Sequence, residues 1–298
     1  MITRRRFLAI SAALAPTMAL ASQPDLHVET GIALGAQVTL RLQHPDAPAL
    51  AAQAMAEIRR LEAIFSLYLP DSALARLNRD GALADPPFEM LDCLTLAGAV
   101  HRASAGRFDP TVQPLWQAEA KALERAQPLT EAERTALSAR IGWPKVVATP
   151  EAITLQPGMA LTLNGIAQGF IADRVAALLA QQGLTRALID TGEMVALPEG
   201  HWPVHLPDRS ELPLQGRALA TSAPLGMTFG SDGKTSHILN PMTGHPVQSG
   251  WQAISVSAPS AALADALSTA LCLTKGRSEA EAICAAFAGA KLEVAIPA

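Results

Sequence analysis

The sequence predicts an α+β (mixed α/β) fold, and three observations carry that reading. Short alternating apolar runs such as Val38–Leu42 are interleaved with longer runs at helical spacing. Leu161–Gly183 reads as a short strand, a tight glycine turn and then an amphipathic helix. The 298 residues are 49% apolar and 4% aromatic, which suits a globular chain with a substantial core, as one large domain or two lobes. A formal net charge of −4 gives no basic excess to bind nucleic acid.

The chain opens with an address. Arg4, Arg5 and Arg6 precede the apolar run Phe7–Ala15, and Ala19-Leu20-Ala21 offers a small-residue cleavage site. This is a secretory pattern resembling a twin-arginine signal, and it predicts an exported, periplasmic protein associated at most with the inner membrane. The apolar run is short for a bilayer span, so the mature protein is not expected to span a membrane. Removing residues 1–21 takes away three arginines and no acids, so −4 becomes −7 for the mature domain 22–298.

Val38–Leu42 alternates like a strand, and Ala49–Leu67 follows with helical spacing. Tyr68, the one tyrosine, reads as an aromatic plug with its hydroxyl near the surface. Leu91–Ala103 is a second helix, running into Gly106-Arg107-Phe108-Asp109-Pro110, whose Asp-Pro pair favours a turn. The amides of this turn could meet a ligand or simply close the loop. Trp116–Arg140 is helical but broken near Gln127–Leu129, with Thr130 and Glu133 at capping-box spacing. Lys145–Ala148, Ile153–Leu155 and Leu161–Leu163 are expected to form a small antiparallel set.

The glycine turn at Gly165 and Gly169 feeds a helix that Gly183 ends. A helix start leaves amides unpaired, which makes a candidate phosphate cradle; the alternative is a turn whose glycines only permit the backbone angles. The turn is neither a Walker A loop nor a dinucleotide fingerprint. Strands are expected at Ala187–Asp190, Ala218–Ser222, Ala253–Ser257 and Leu292–Ile296, and helices at Ala261–Leu273 and Ser278–Ala288. His237 heads a run Ile238-Leu239-Asn240-Pro241-Met242-Thr243-Gly244, where it could bind a ligand, act as an acid or base, or cap its own turn. Asp265 and Thr269 are four apart on one helical face. Their hard oxygens suit Mg²⁺, or the Asp answers the helix dipole and the Thr bonds back along its own helix. Cys93, Cys272 and Cys284 read as buried thiols, although Cys272 and Cys284 could pair in an oxidising compartment.

In their order along the chain, these runs resemble the ApbE-like family of FAD:protein FMN transferases over nearly the whole mature length. The matches run from Leu34-Gly35-Ala36 through Phe65–Tyr68, Gly106–Val112, Asn164–Asp173, Asp190–Gly192 and Ala220–Ser222 to His237–Pro246 and Ala264–Leu271. The resemblance implies two lobes with FAD in the cleft between them. It implies Mg²⁺-dependent transfer of FMN from FAD, as substrate, to a Ser or Thr hydroxyl of a partner redox protein, releasing AMP.

Carried over position by position, Leu34 and Tyr68 would border the flavin. Arg107, Phe108 and Asp109 would contact FAD, with Thr162, Gln168 and Ile238 around it. Gly165 through its carbonyl, Asp265 and Thr269 would hold Mg²⁺, with Ser268 alongside. His237 or Asp109 would serve as base for the acceptor hydroxyl.

The departures are Thr162 for a frequent Asp, Asn164 for Gly, Gln168 for Lys, Met242 for Arg and Glu193 for a second Gly. Two cations are thereby missing. An FAD pyrophosphatase giving FMN and AMP, and a non-catalytic FAD-binding or carrier protein, are the competing readings.

Overall fold

A computed structural model describes residues 25–33, 35–125, 127–229 and 234–298. The expected export leader, residues 1–21, and Leu34 lie outside the described residues. Among the described residues no helix is long and apolar enough to cross a membrane.

One antiparallel sheet forms the backbone of the molecule. Its strands run in the order Leu26–Ala33, Ala36–Gln43, Ala187–Asp190, Met194–Ala196, Ala218–Ser222, Trp251–Ala258 and Lys291–Pro297. Every neighbouring pair is antiparallel. Five of these seven strands were expected from the sequence. The edge strand Leu26–Ala33 was not, because its outward side chains Leu26, Val28 and Ile32 are apolar yet exposed, which blurs the two-residue period.

The helices in chain order are α1 (Ala47–Phe65), α2 (Ala73–Asp80), α3 (Phe88–Ala103), α4 (Gln113–Glu124), α5 (Glu131–Ser138), α6 (Ala167–Gln181), α7 (Ala261–Leu271) and α8 (Arg277–Cys284). Helices α1, α6 and α7 cover one face of the sheet. On the other face lies the hairpin Trp202–His205 and Glu211–Leu214, which adds Trp202, Val204 and Leu214 to Leu188, Leu219 and Val294. A separate apolar cluster belongs to the α4–α5 lobe: Leu115, Ile141, Phe229 and Leu239 are buried there, with Trp116 and Leu137 packed around them. The break between α4 and α5 falls where the sequence places it. Thr130 and Glu133 form a full capping box, the side chain of each bonding the other's backbone amide.

Leu161–Leu163 is a correction. It is extended but forms no strand, and the third member of the small sheet is Ala82–Ala84 beside Ala152–Thr154 and Val147–Ala148. The reason is where its backbone groups go. The Asn78 carboxamide takes both the N–H and the carbonyl of Leu161, at 2.7 and 2.8 Å. The Thr162 N–H goes to the Pro110 carbonyl at 2.8 Å. A side chain and a turn thus replace a neighbouring strand. All three cysteines are free and buried, so Cys272 and Cys284 are not paired.

Candidate functional site

Between the main body and the α4–α5 lobe lies a cavity of about 590 Å³. It gathers Tyr68, Arg107, Phe108, Asp109, Thr162, Gly165, Gln168, His237, Ile238, Asp265 and Thr269 into one lining. These residues span five separate stretches of sequence. Gly35, next to the undescribed Leu34, lines it too.

The floor is built by α6 and α7. Neither Gly165 nor Gly169 has positive φ, so the turn does not need glycine for its angles. It needs glycine for closeness: a Cβ on Gly165 would stand 2.9 Å from Thr269 Oγ1, and one on Gly169 only 2.3 Å from the Ala261 carbonyl oxygen. At the start of α6 the Gly169 amide points at Asp265 Oδ2, 3.4 Å away. One amide of the expected phosphate cradle is therefore already aimed at a carboxylate.

Asp265 is buried, and burial pushes its pKa well above the ordinary carboxylate range; the Gly169 N–H partly offsets this and the charge of Asp173 adds to it. Thr269 follows one turn later. Its hydroxyl lies 3.3 Å from Ser222 Oγ, which in turn is 2.7 Å from Ser268 Oγ. The outcome is a pocket of hard oxygens: a carboxylate, hydroxyls and a backbone pressed close by the lack of a Cβ. That donor set fits a small divalent cation, which takes one or two protein carboxylates and fills its remaining positions with water or substrate phosphate. Among the described residues no group of three or more His, Cys, Asp or Glu side chains could hold a metal.

Arg107 brings the one Lys or Arg side chain in this lining, and its guanidinium is already engaged by Glu279 and by the Ser104 carbonyl at 2.9 Å. Gln168, where a cation is missing, lies against Gly192, within 3.2 Å of where a Cβ would be. Phe108 is buried beside Gly165. Thr162 turns its hydroxyl inward to the Asn164 N–H at 3.3 Å. Tyr68 is 68% exposed at the mouth, a free lip rather than a packed plug. Met242 is exposed in the turn next to Pro241.

The two candidate bases separate. Asp109 accepts from Thr111 N and Oγ1 through Oδ1, at 2.9 and 2.6 Å, and from Trp143 N through Oδ2 at 3.1 Å. These bonds hold the turn after α3, so the contacts of Asp109 are those of a structural cap. His237 is different. Its Nδ1 lies 2.7 Å from the Met227 carbonyl. A carbonyl only accepts, so Nδ1 carries the proton and Nε2 keeps its lone pair in the neutral ring. Burial lowers the His237 pKa and favours that neutral form, against the backbone carbonyls that would raise it.

Two residues in the site were not singled out for it by sequence reasoning. Ser222 stood only as the end of a strand and of the family-matching run Ala220–Ser222, and Glu193 only as a departure from a glycine. Glu193 is buried against the same cavity. An acid in the turn Thr191-Gly192-Glu193, directly after the apolar strand Ala187–Asp190, is the signal that pointed there.

The chain matches the model of the ApbE family over residues 34–293. It is 30% identical over 232 residues to the FAD:protein FMN transferase of Salmonella typhimurium, covering 70% of this chain and 66% of that protein. The chain thus spans about two thirds of that relative's length. Among solved structures it resembles the ApbE protein of Thermotoga maritima, with TM-score 0.78, 23% identity, and coverage of 90% and 93% of the two chains. The apo flavinyl transferase ApbE of Pseudomonas stutzeri matches with TM-score 0.76 and 23% identity over 88% of each chain. At that identity the solved structures speak for the fold.

Proposed function

The chain belongs to the ApbE family, and from that premise we propose that it transfers FMN from FAD to a Ser or Thr hydroxyl of a partner redox protein, with a divalent cation such as Mg²⁺, releasing AMP. The observation that carries this reading is the pairing of two walls in one cavity. One wall offers Asp265, Thr269 and the close backbone of Gly165; the other offers His237, whose Nδ1 is engaged by the Met227 carbonyl. When bound, the cation supplies Lewis-acid neutralisation of the pyrophosphate charge.

The residues of the chain then do the following. Phe108, Ile238 and Tyr68 hold the flavin end, while Arg107, Thr162 and Gln168 flank the ribityl phosphate side. His237 Nε2 takes the proton of the acceptor hydroxyl. The acceptor oxygen forms its bond to the FMN phosphorus as the bond from that phosphorus to the bridging oxygen breaks, and AMP leaves with that oxygen and its charge. Little covalent help is needed, because phosphoryl transfer rests on positioning and charge neutralisation. The leader supports an exported, periplasmic site of action for the mature domain 22–298, where the acceptor is a membrane-associated or periplasmic redox protein.

AMP release from FAD tests this. It is measured with Mg²⁺ and with EDTA, for wild type and Asp265→Ala, with and without a Thr-containing acceptor peptide and genuine partner proteins. The expected result is Mg²⁺-dependent AMP, lost in the variant, with the acceptor gaining the mass of FMN. Free FMN with no labelled acceptor means a pyrophosphatase. Tight FAD binding with no AMP under any condition means a carrier protein.

A further inference from the structure

Glu193 is 8% exposed, and its Oε2 is fully enclosed with no hydrogen-bond partner. The Thr221 backbone N–H bonds its carboxylate and so fixes the side chain across the sheet. The carboxylate lines the same cavity as Asp265, Thr269 and Ser222, and Asp265 is the charge that acts on it most strongly. Among the described lining residues nothing balances these two acids. Arg107 is tied to Glu279 and Ser104, and position 168 is Gln rather than a cation. An unpartnered oxygen beside a second buried carboxylate is a demand for positive charge. Hard anionic oxygens select a divalent cation.

We propose that Glu193 is a ligand of the divalent cation, completing with Asp265, Thr269 and the Gly165 carbonyl a site able to hold the cation before FAD arrives. This rests on the cation reading above. It extends that reading to a residue at which the chain departs from the glycine common in its family. With two carboxylates on the metal the site is charge-balanced, so the cation is held without help from the pyrophosphate.

Binding of Mn²⁺ to the mature protein, followed by electron paramagnetic resonance of the free ion, tests the assignment without reference to turnover. Wild type, Glu193→Gln, Glu193→Asp and Asp265→Asn are titrated without FAD and again in its presence, with folding checked by circular dichroism. The proposal expects Glu193→Gln to weaken Mn²⁺ binding about tenfold or more in the FAD-free protein. Glu193→Asp, whose carboxylate is drawn back by one methylene, falls between it and wild type. If Glu193→Gln does not fold, Glu193→Asp alone decides: weakening of about threefold or more supports a ligand, and unchanged binding overturns it. Wild-type affinity in both Glu193 variants, with binding lost in Asp265→Asn, overturns the role of Glu193 and leaves the cation site standing. Wild-type protein that binds no Mn²⁺ in either state, or an Asp265→Asn protein that binds it normally, overturns the cation reading and this assignment together.

Discussion

Gly169 on α6 meets the Ala261 carbonyl on α7 so closely that a Cβ there would lie 2.3 Å from the oxygen. One turn further along α6, Asp173 caps the start of α7, accepting from the amides of Ala261 at 2.7 Å and Ala262 at 2.9 Å. The two helices are locked at this point. Because α6 follows directly on Gly165 and α7 carries Asp265 and Thr269, the lock sets the spacing of the oxygen pocket.

Gly169→Ala should therefore cost both stability and the site. The backbone carbonyl cannot swing aside, so the helices must part, at a cost of about 3 kcal/mol. Urea unfolding checks the first effect. Mn²⁺ binding checks the second, and an affinity unchanged from wild type would separate the site from the helix crossing.

Burial of Asp265 ties stability to pH. Its pKa is pushed up to about 8 in the folded protein, against about 3.9 in an unfolded chain. Between those values the native state holds a proton that the unfolded state has lost, so the metal-free protein loses stability as pH rises. The Tm in EDTA is expected to fall between about pH 5 and pH 8. Saturating Mg²⁺ should flatten that slope, since the cation takes the proton's place. Asp265→Asn should lessen it without any cation, leaving the part due to Asp173 and Glu193, whose pKa values burial also raises.

His237 is held neutral by burial, against the pull of the Met227 and Pro224 carbonyls toward the charged ring. Transfer to an acceptor should therefore rise with pH and level off below the ordinary histidine value of about 6.5. His237→Ala is expected to lower transfer about 100-fold or more, within the range of general-base catalysis. FAD binding, measured by fluorescence quenching, should change little. Equal loss of both would make His237 a binding residue.

Asp109→Asn probes the structural cap. The carboxamide can still accept from Thr111, but its NH₂ would then face the Trp143 N–H, leaving a buried donor unmet at a cost of about 1–3 kcal/mol. The expected result is a lower Tm with an unaltered pH profile of transfer. A changed pH profile would return Asp109 to the chemistry.

Much of this was legible from residue patterns, and what escaped did so for local reasons. The capping box of Thr130 and Glu133, the strand Ala187–Asp190 and the helix bearing Asp265 rest on short-range signals, and they stand where the sequence places them. The non-strand at Leu161–Leu163 escaped because its hydrogen bonds go to Asn78, 83 residues away in the chain. The glycine turn was read through backbone angles, while the real constraint is a helix crossing that no window of sequence contains. Asp109 and His237 looked alike as bases; only their partners in space tell them apart. Glu193 escaped for the same reason, since its burial depends on strands that meet only in the folded sheet.

Beside His237, neighbouring side chains enter different cores. Ile238 belongs to the main core, and Leu239 to the core of the α4–α5 lobe. The peptide between them is a seam between two separately packed bodies. The lobe side of that seam is fastened by Arg134, which spans from Glu119 to the Gly244 carbonyl. This seam lies one residue from the imidazole. A change in the width of the cleft is therefore expected to shift the His237 ring resonances, with or without a reaction taking place.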